Sequence, residues 1–427
     1  MPYPELWAFV VGFAVTMYVL LDGFDIGVGI LLLGVGDARE RDVAMNTVYP
    51  VWDGNETWIV LTGVGLYGGF PEAYATLLPA LYVPFVAMLL AIVFRGVSLE
   101  VRFNARGRAQ LWWDRCFGVA SAVIAAMQGV ILGTVLGEGV PVAAYAYAGP
   151  PWGLPGPLAG LTAALLTVAY ALYGASWLVL KTSGALQARV RRAARTLAPV
   201  TLVAALAWVG VPRLADDVPA PLATLQATVL LAVGAALLGA LWWATGRDRG
   251  ERAPFPLVMA LLAAGAAAVA TSQWPVLVPP SLTIYDAASG TNSQRVLLFG
   301  ALGVIPVILT YTGFGYYVFR GKAEGGFRFT LTDEERERLR TPSDDRSRAP
   351  RRGRHVPAWG RVGGVLLGVL LFFLLVGPFG EVPALATLLA VAAAFAVFWA
   401  RVVPATSPGE APEYPGGGAA DVRYADP

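Results

Sequence analysis

The chain has 427 residues, of which 56% are hydrophobic and 14% charged, with a mean hydropathy of +0.60. A soluble globule carries about a quarter charged residues, so these figures exclude that class and point to an integral membrane protein. The net charge of +2 gives no reason to expect a nucleic-acid or polyanion partner.

Apolar runs long enough to cross a hydrocarbon core, roughly 17 to 25 residues, predict helices at about 6–34, 48–69, 73–95, 115–137, 154–180, 196–212, 223–244, 254–276, 297–319, 358–378 and 382–402. The start, MPYPELWAFVVGF, lacks the basic region and small-residue cleavage site of a secretory signal and reads as the first span; no lipidation motif is evident.

Within that first span, LLDGFDIGVG carries Asp22 and Asp25. Their i, i+3 spacing puts both carboxylates on one helix face. Gly23 and Gly27 stand in GxxxG spacing, which lets a second helix cover that face with protein rather than lipid. Intramembrane carboxylates are costly and hence functional-site candidates; the plainer alternative is a helix-packing hydrogen bond or a re-entrant turn.

The second predicted span opens on VWDGNETW. If the first helix runs inward and the second returns, Asp25 and Asp53 fall in the same half of the membrane, each within about two or three turns of its surface. Asp53, Asn55, Glu56 and Thr57 supply donors and acceptors suited to holding water in a file, as a proton-conducting pocket requires. The other reading is a helix cap, with Asp53 as N-cap and Glu56 completing a capping box.

Farther along, Glu100 between Arg95 and Arg102 reads as a solvated ion pair at a helix end. Gln128, Tyr170, Tyr173 and Ser176 either line a polar seam or bond singly to neighbouring helices. Asp286, in SLTIYDAASG, sits in an outer-face loop with no role derivable from the residues.

Basic residues gather in alternate loops: Arg39 and Arg41; Arg102, Arg106 and Arg108; Lys181, Arg189, Arg191, Arg192 and Arg195; Arg247, Arg249 and Arg252. The positive-inside rule then puts the amino terminus outside and the carboxyl terminus in the cytoplasm. The single cysteine, Cys116, excludes an internal disulfide framework, and the single histidine, His355, sits in the arginine-rich SRAPRRGRHVPAW as a solvated loop residue. With no histidine in a predicted span, the chain is not expected to hold a haem, copper or non-haem iron site alone. The expected organisation is a membrane core over 1–320, a charged cytoplasmic linker over 321–356, a further transmembrane hairpin over 357–403 and a disordered cytoplasmic tail over 404–427.

Five segments, LDGFDIGVGILL, VWDGNETWIV, RGVSLEVR, YGASWLVLKTSG and SLTIYDAASG, run in the order found in subunit II of the cytochrome bd-type quinol oxidases, and over Leu6 to Arg320 the sequence resembles that family. The resemblance implies an all-α integral membrane protein whose nine-helix core forms two four-helix bundles plus a peripheral helix, here with two extra C-terminal transmembrane helices. It implies a heterodimer in a bacterial plasma membrane with a haem-bearing subunit I, which carries haem b and haem d and oxidises quinol, while this chain binds no haem. Electrons from quinol then reduce O2 to water with protons drawn from the cytoplasm. By resemblance Asp53 takes a role in that proton uptake, and Asp25, Asp22, Glu56 and Asn55 complete the candidate proton-transfer set. A structural quinone is a further implication to which no residue is assigned. The two extra helices either replace a small accessory single-span subunit or form a lineage-specific hairpin, and the second is favoured.

A reading from another class makes the chain a proton-coupled secondary transporter with Asp22, Asp25 and Asp53 as its relay. The stretch of the fifth span that would correspond, YGASWLVLKTSG, contains no carboxylate. A third reading makes it a purely structural partner of a haem subunit.

Overall fold

In hydrocarbon, backbone N–H and C=O groups must be satisfied within the segment, so each long apolar run becomes a helix. The computed structural model describes residues 3–137, 139–143, 146–149, 156–214, 220–246 and 250–323; the linker, hairpin and tail expected beyond them lie outside the described residues. The helices are α1 (Tyr3–Leu32), α2 (Ala38–Val48), α3 (Trp52–Gly69), α4 (Pro71–Ala80), α5 (Tyr82–Arg102), α6 (Arg108–Leu136), α7 (Pro157–Lys181), α8 (Gly184–Leu214), α9 (Thr224–Thr245), α10 (Pro254–Gln273) and α11 (Thr291–Val318). Two short antiparallel ribbons occupy loops: β1 (Val142–Ala143) with β2 (Ala146–Tyr147), and β3 (Val276–Val278) with β4 (Leu282–Thr283).

Among the described residues, eight helices are long and apolar enough to cross a membrane: α1 and α5 through α11. The remaining expected span is α3, 18 residues packed along α1, whose polar first turn with Asp53, Asn55 and Glu56 lowers its hydropathy. One expected span begins late and another is divided. The run at 48–69 is preceded by the separate α2, and the run at 73–95 is divided at Leu81 into α4 and α5. α5, α6 and α8 also extend beyond their apolar runs, since charged residues at the membrane surface continue a helix that hydropathy alone ends early.

α1 is the central helix. Of its most apolar stretch 67% is buried, against 17% for α11. It packs on α3, α6 and α7; α7 through α10 contact one another in a ring, and α11 lies against α3. The close approach of α1 and α7 depends on the glycines of the first span. A Cβ on Gly27 would come 1.8 Å from the backbone oxygen of Tyr170, and one on Gly174 would come 2.2 Å from the carbonyl carbon of Gly27. The expected small-residue contact is therefore present, with α7 as partner.

Both ends of this assembly are tied. At one end Trp7 donates to the Gln294 carbonyl at 2.9 Å, and the Gln294 amide and Ser289 N–H both donate to the Gly69 carbonyl. At the other end Asp114 of α6 accepts from Arg41 at 2.8 Å and from Arg102 at 2.6 Å. Arg102 also pairs with Asp42 at 2.8 Å. Arg41 and Arg102, counted above as loop charges, are thus buried structural cations.

Candidate functional site

One face of α1 presents Tyr18, Asp22 and Asp25 at successive turns, and all three are buried, with Asp22 0% and Asp25 1% exposed. Because no Cβ stands at Gly23 or Gly27, Tyr170 and Tyr173 of α7 close over this region. α3 crosses the same face with Asn55 and Glu56, α5 brings Arg95, and α11 brings Tyr316.

The two aspartates have different partners. Arg95 Nη2 donates to Asp22 Oδ1 at 2.7 Å and to Glu56 Oε2 at 3.0 Å, so one guanidinium serves two carboxylates. Among the described residues Asp25 has no cation at hydrogen-bond distance; its Oδ2 accepts from Asn55 Nδ2 at 2.7 Å, and Asn55 Oδ1 accepts from the Tyr316 hydroxyl at 2.9 Å. On the far side of Asp22, Gln128 donates to the Tyr18 hydroxyl at 3.0 Å and accepts from Tyr170 at 2.8 Å. The expected seam thus contains Gln128 and Tyr170, whereas Tyr173 donates to the Leu20 carbonyl and Ser176 to the Tyr173 carbonyl.

Of the five expected site residues, the structure brings Asp22, Asp25, Asn55 and Glu56 together and leaves Asp53 apart, exposed at the start of α3. The capping reading is corrected. The N-cap of α3 is Val51, without a side-chain cap bond; Asp53 is the second helical residue, and Glu56 reaches Arg95. Arg95 binds the buried cluster and Arg102 binds Asp114 and Asp42, so the expected pairing of either with the exposed Glu100 does not occur. Asp286 closes a turn, accepting from Thr283 Oγ1 at 2.5 Å and Thr283 N at 3.2 Å.

The comparisons with known proteins agree on one family. The family model of cytochrome bd terminal oxidase subunit II matches residues 3–319. The chain belongs to the cytochrome bd oxidase subunit II family. It is 31% identical over 331 residues to cytochrome bd ubiquinol oxidase subunit 2 of Bacillus subtilis (strain 168), covering 74% of this chain and 95% of that protein. It is 30% identical over 373 residues to cytochrome bd-I ubiquinol oxidase subunit 2 of Escherichia coli (strain K12), covering 78% and 96%. The fold matches the bd oxidase of Geobacillus thermodenitrificans with a TM-score of 0.57 at 13% identity, covering 74% of this chain and 98% of that one.

Three members of this subunit II site escaped the sequence reading; one is Tyr18, four positions before Asp22 on the same face of α1. Arg95 sits in AIVFRGVSLEVR as if it ended a span, but α5 continues to Arg102 and Arg95 lies inside it. An arginine within an apolar run, in a chain with carboxylates in another run, was the available signal. Tyr316 had none; it is one of three tyrosines within YTGFGYY, and only the approach of α11 to α3 selects it.

Proposed function

We propose that this chain is the haem-free subunit of a bacterial bd-type terminal oxidase that couples quinol oxidation to O2 reduction, and that it supplies a proton-uptake path from the cytoplasm. The observation that carries this reading is the contrast between the two buried aspartates. Asp22 is neutralised by Arg95, whereas Asp25, 1% exposed, has only the neutral Asn55 amide as hydrogen-bond partner among the described residues. A buried carboxylate facing an amide rather than a cation gains most from taking up a proton, which suits a group that loads and releases one. Asp53, exposed at the start of α3, would receive the proton; Glu56, half-buried and one turn on, leads inward.

Haem iron takes imidazole, thiolate, thioether or phenolate ligands. The buried cluster instead holds carboxylates bonded to a guanidinium and an amide, with its phenols already committed to hydrogen bonds. This donor set does not suit haem, which supports the reading that haem b and haem d belong to the partner subunit, together with quinol oxidation. The partner's seat is the face where Asp53 lines up with Val60, Val64 and Tyr67 of α3, continued by Val307, Tyr311 and Phe314 of α11, all exposed. Gly54 joins the two helices, since its Cβ position lies 3.2 Å from the Tyr311 ring. In this reading the amino terminus is outside; lipid covers the remaining apolar faces. A structural quinone and an accessory subunit have no residues assigned to them.

The test is Asp25→Asn in the assembled two-subunit oxidase. The expected result is an unchanged haem spectrum with quinol-dependent O2 consumption reduced by roughly a hundredfold, the scale of losing a proton-transfer group. Full turnover in a spectrally intact complex would return the chain to a structural role. Proton-coupled transport by this chain in the absence of a haem subunit would favour the transporter reading.

A further inference from the structure

Tyr316, on the last turn of α11, is 4% exposed, and its ring packs against Phe24 and Trp177 at 6.3 Å each. Its hydroxyl donates to Asn55 Oδ1, and Asn55 Nδ2 donates to Asp25 Oδ2, forming a directional chain from α11 through α3 to α1. Chemistry fixes that direction. An ionised carboxylate only accepts, so the amide turns its nitrogen to Asp25 and its oxygen to Tyr316. Once Asp25 carries a proton it can donate, and the amide meets it by turning its oxygen toward the carboxyl. The amide nitrogen then faces Tyr316, whose hydroxyl oxygen accepts. A hydroxyl both donates and accepts, so it serves either arrangement, while a bare ring serves neither.

We propose that Tyr316 is a positioning residue for proton transfer at Asp25, orienting the Asn55 amide and reversing its own hydrogen bond as the carboxyl gains or loses a proton. The proposal rests on the reading of Asp25 as a proton-exchanging group. The titratable and charged groups around Asp25 are Asp22 on its own helix, Glu56 of α3, Arg95 of α5, Tyr173 of α7 and Tyr316 of α11. Arg95 is bound to Asp22 and Glu56, and Tyr173 donates to a backbone carbonyl. Tyr316 is the one whose hydroxyl bonds to the amide that Asp25 uses.

The experiment compares Tyr316→Phe, Asn55→Leu and the double variant in the assembled oxidase. Tyr316→Phe is expected to lower kcat roughly tenfold with KM for quinol unchanged, the scale of leaving one buried amide group unpaired. Because Tyr316 acts through Asn55, the same change in the Asn55→Leu background should add nothing further. Unchanged kcat in an assembled Tyr316→Phe complex would overturn the proposal, as would an undiminished effect of the second substitution. If the variants do not assemble, infrared difference spectra of the unsubstituted complex, with isotope-labelled tyrosine at position 316, decide the matter. The label band is expected to change in step with the carboxyl band that Asp25→Asn removes, and a silent label beside a changing carboxyl refutes the proposal. Unimpaired turnover of Asp25→Asn defeats the proton-path reading alone, and the label band still tests the coupling of Tyr316 to Asp25.

Discussion

Arg95 of α5 holds Asp22 of α1 at 2.7 Å, with the arginine side chain 1% and the aspartate side chain 0% exposed, between residues 73 positions apart in the chain. Neither ion is tolerable alone in such a site, where an uncompensated charge costs several kcal/mol. The pair therefore accounts for the carboxylate at Asp22, and it separates the arginine-bound group there from the amide-bound carboxyl at Asp25.

Replacing Arg95 by leucine should destabilise the protein by about 3 to 5 kcal/mol, because it leaves Asp22 buried without a counter-ion. Adding Asp22→Leu should recover a large part of that loss, since a well-packed apolar pair is close in stability to a buried ion pair. Thermal unfolding of the purified complex measures both; equal melting temperatures for the single and double variants would show that Asp22 and Arg95 are not energetically paired.

Gly27→Ala should prevent normal seating of α7 on α1, because the new Cβ would stand 1.8 Å from the Tyr170 backbone oxygen and only a backbone shift relieves that overlap. Overpacking usually costs about 1 to 3 kcal/mol when side chains can yield, and here the obstacle is main chain. Gly12→Ala on the same helix meets nothing within 4 Å among the described residues and serves as the control. The yield of assembled complex should fall for the first variant and not for the second.

Features set by near neighbours in the chain were legible in the sequence: the apolar runs, the shared face of Asp22 and Asp25, and the glycines that open that face. Partnerships across large separations were not. Asn55 meets Tyr316 across 261 positions and Asp114 meets Arg41 across 73, and hydropathy contains nothing that pairs them. The same limit explains the arginines. Position at a span's end suggested solvated loop charges, but buried acceptors on neighbouring helices claim Arg41, Arg95 and Arg102. The cap expected at Asp53 failed because α3 begins at Trp52, two residues before the start that an Asp53 cap would set.

The end of α11 is tethered to the end of α7 by bonds that should respond to pH. Lys322 donates to the Thr182 carbonyl at 3.0 Å and pairs with Glu251 at 2.7 Å, while Lys181 donates to the Phe319 carbonyl. Burial pushes the Glu251 carboxyl up, but hydrogen bonding and charge from Lys322 outweigh it and hold the group below the usual carboxylate range. A depressed folded-state value means that the contribution is present above the ordinary carboxylate range and disappears as pH falls through the lowered value. The side chains of the pair are 32% and 33% exposed, and a solvent-screened contact of this kind contributes no more than about 1 kcal/mol, so the expected effect is local. Amide hydrogen exchange at 319–323, corrected for intrinsic rates, should accelerate in acid in the parent protein, and Glu251→Gln should show the faster exchange already at neutral pH.

Asp114 and Asp42 both accept from Arg102, yet their removal should differ sharply. The Asp114 side chain is 2% exposed and bonds two buried arginines, Arg41 at 2.8 Å and Arg102 at 2.6 Å, whereas that of Asp42 is 37% exposed and bonds one arginine and Gln110. Asp114→Ala takes from Arg41 the carboxylate it pairs with, and from Arg102 one of its two, at the junction of α2, α5 and α6, a loss of about 3 kcal/mol by the measure of a broken buried pair. Asp42→Ala leaves Arg102 bound to Asp114 and removes a solvent-screened contact worth about 1 kcal/mol or less. Arg102 keeps the Asp42 carboxylate, whereas Arg41 keeps only the neutral Val35 and Gly36 carbonyls, so Arg41 should suffer more from the loss of Asp114. Adding Arg41→Leu to Asp114→Ala should therefore restore more stability than adding Arg102→Leu, and thermal unfolding of the four variants ranks them. The reverse order would mean that the clasp is organised around Arg102.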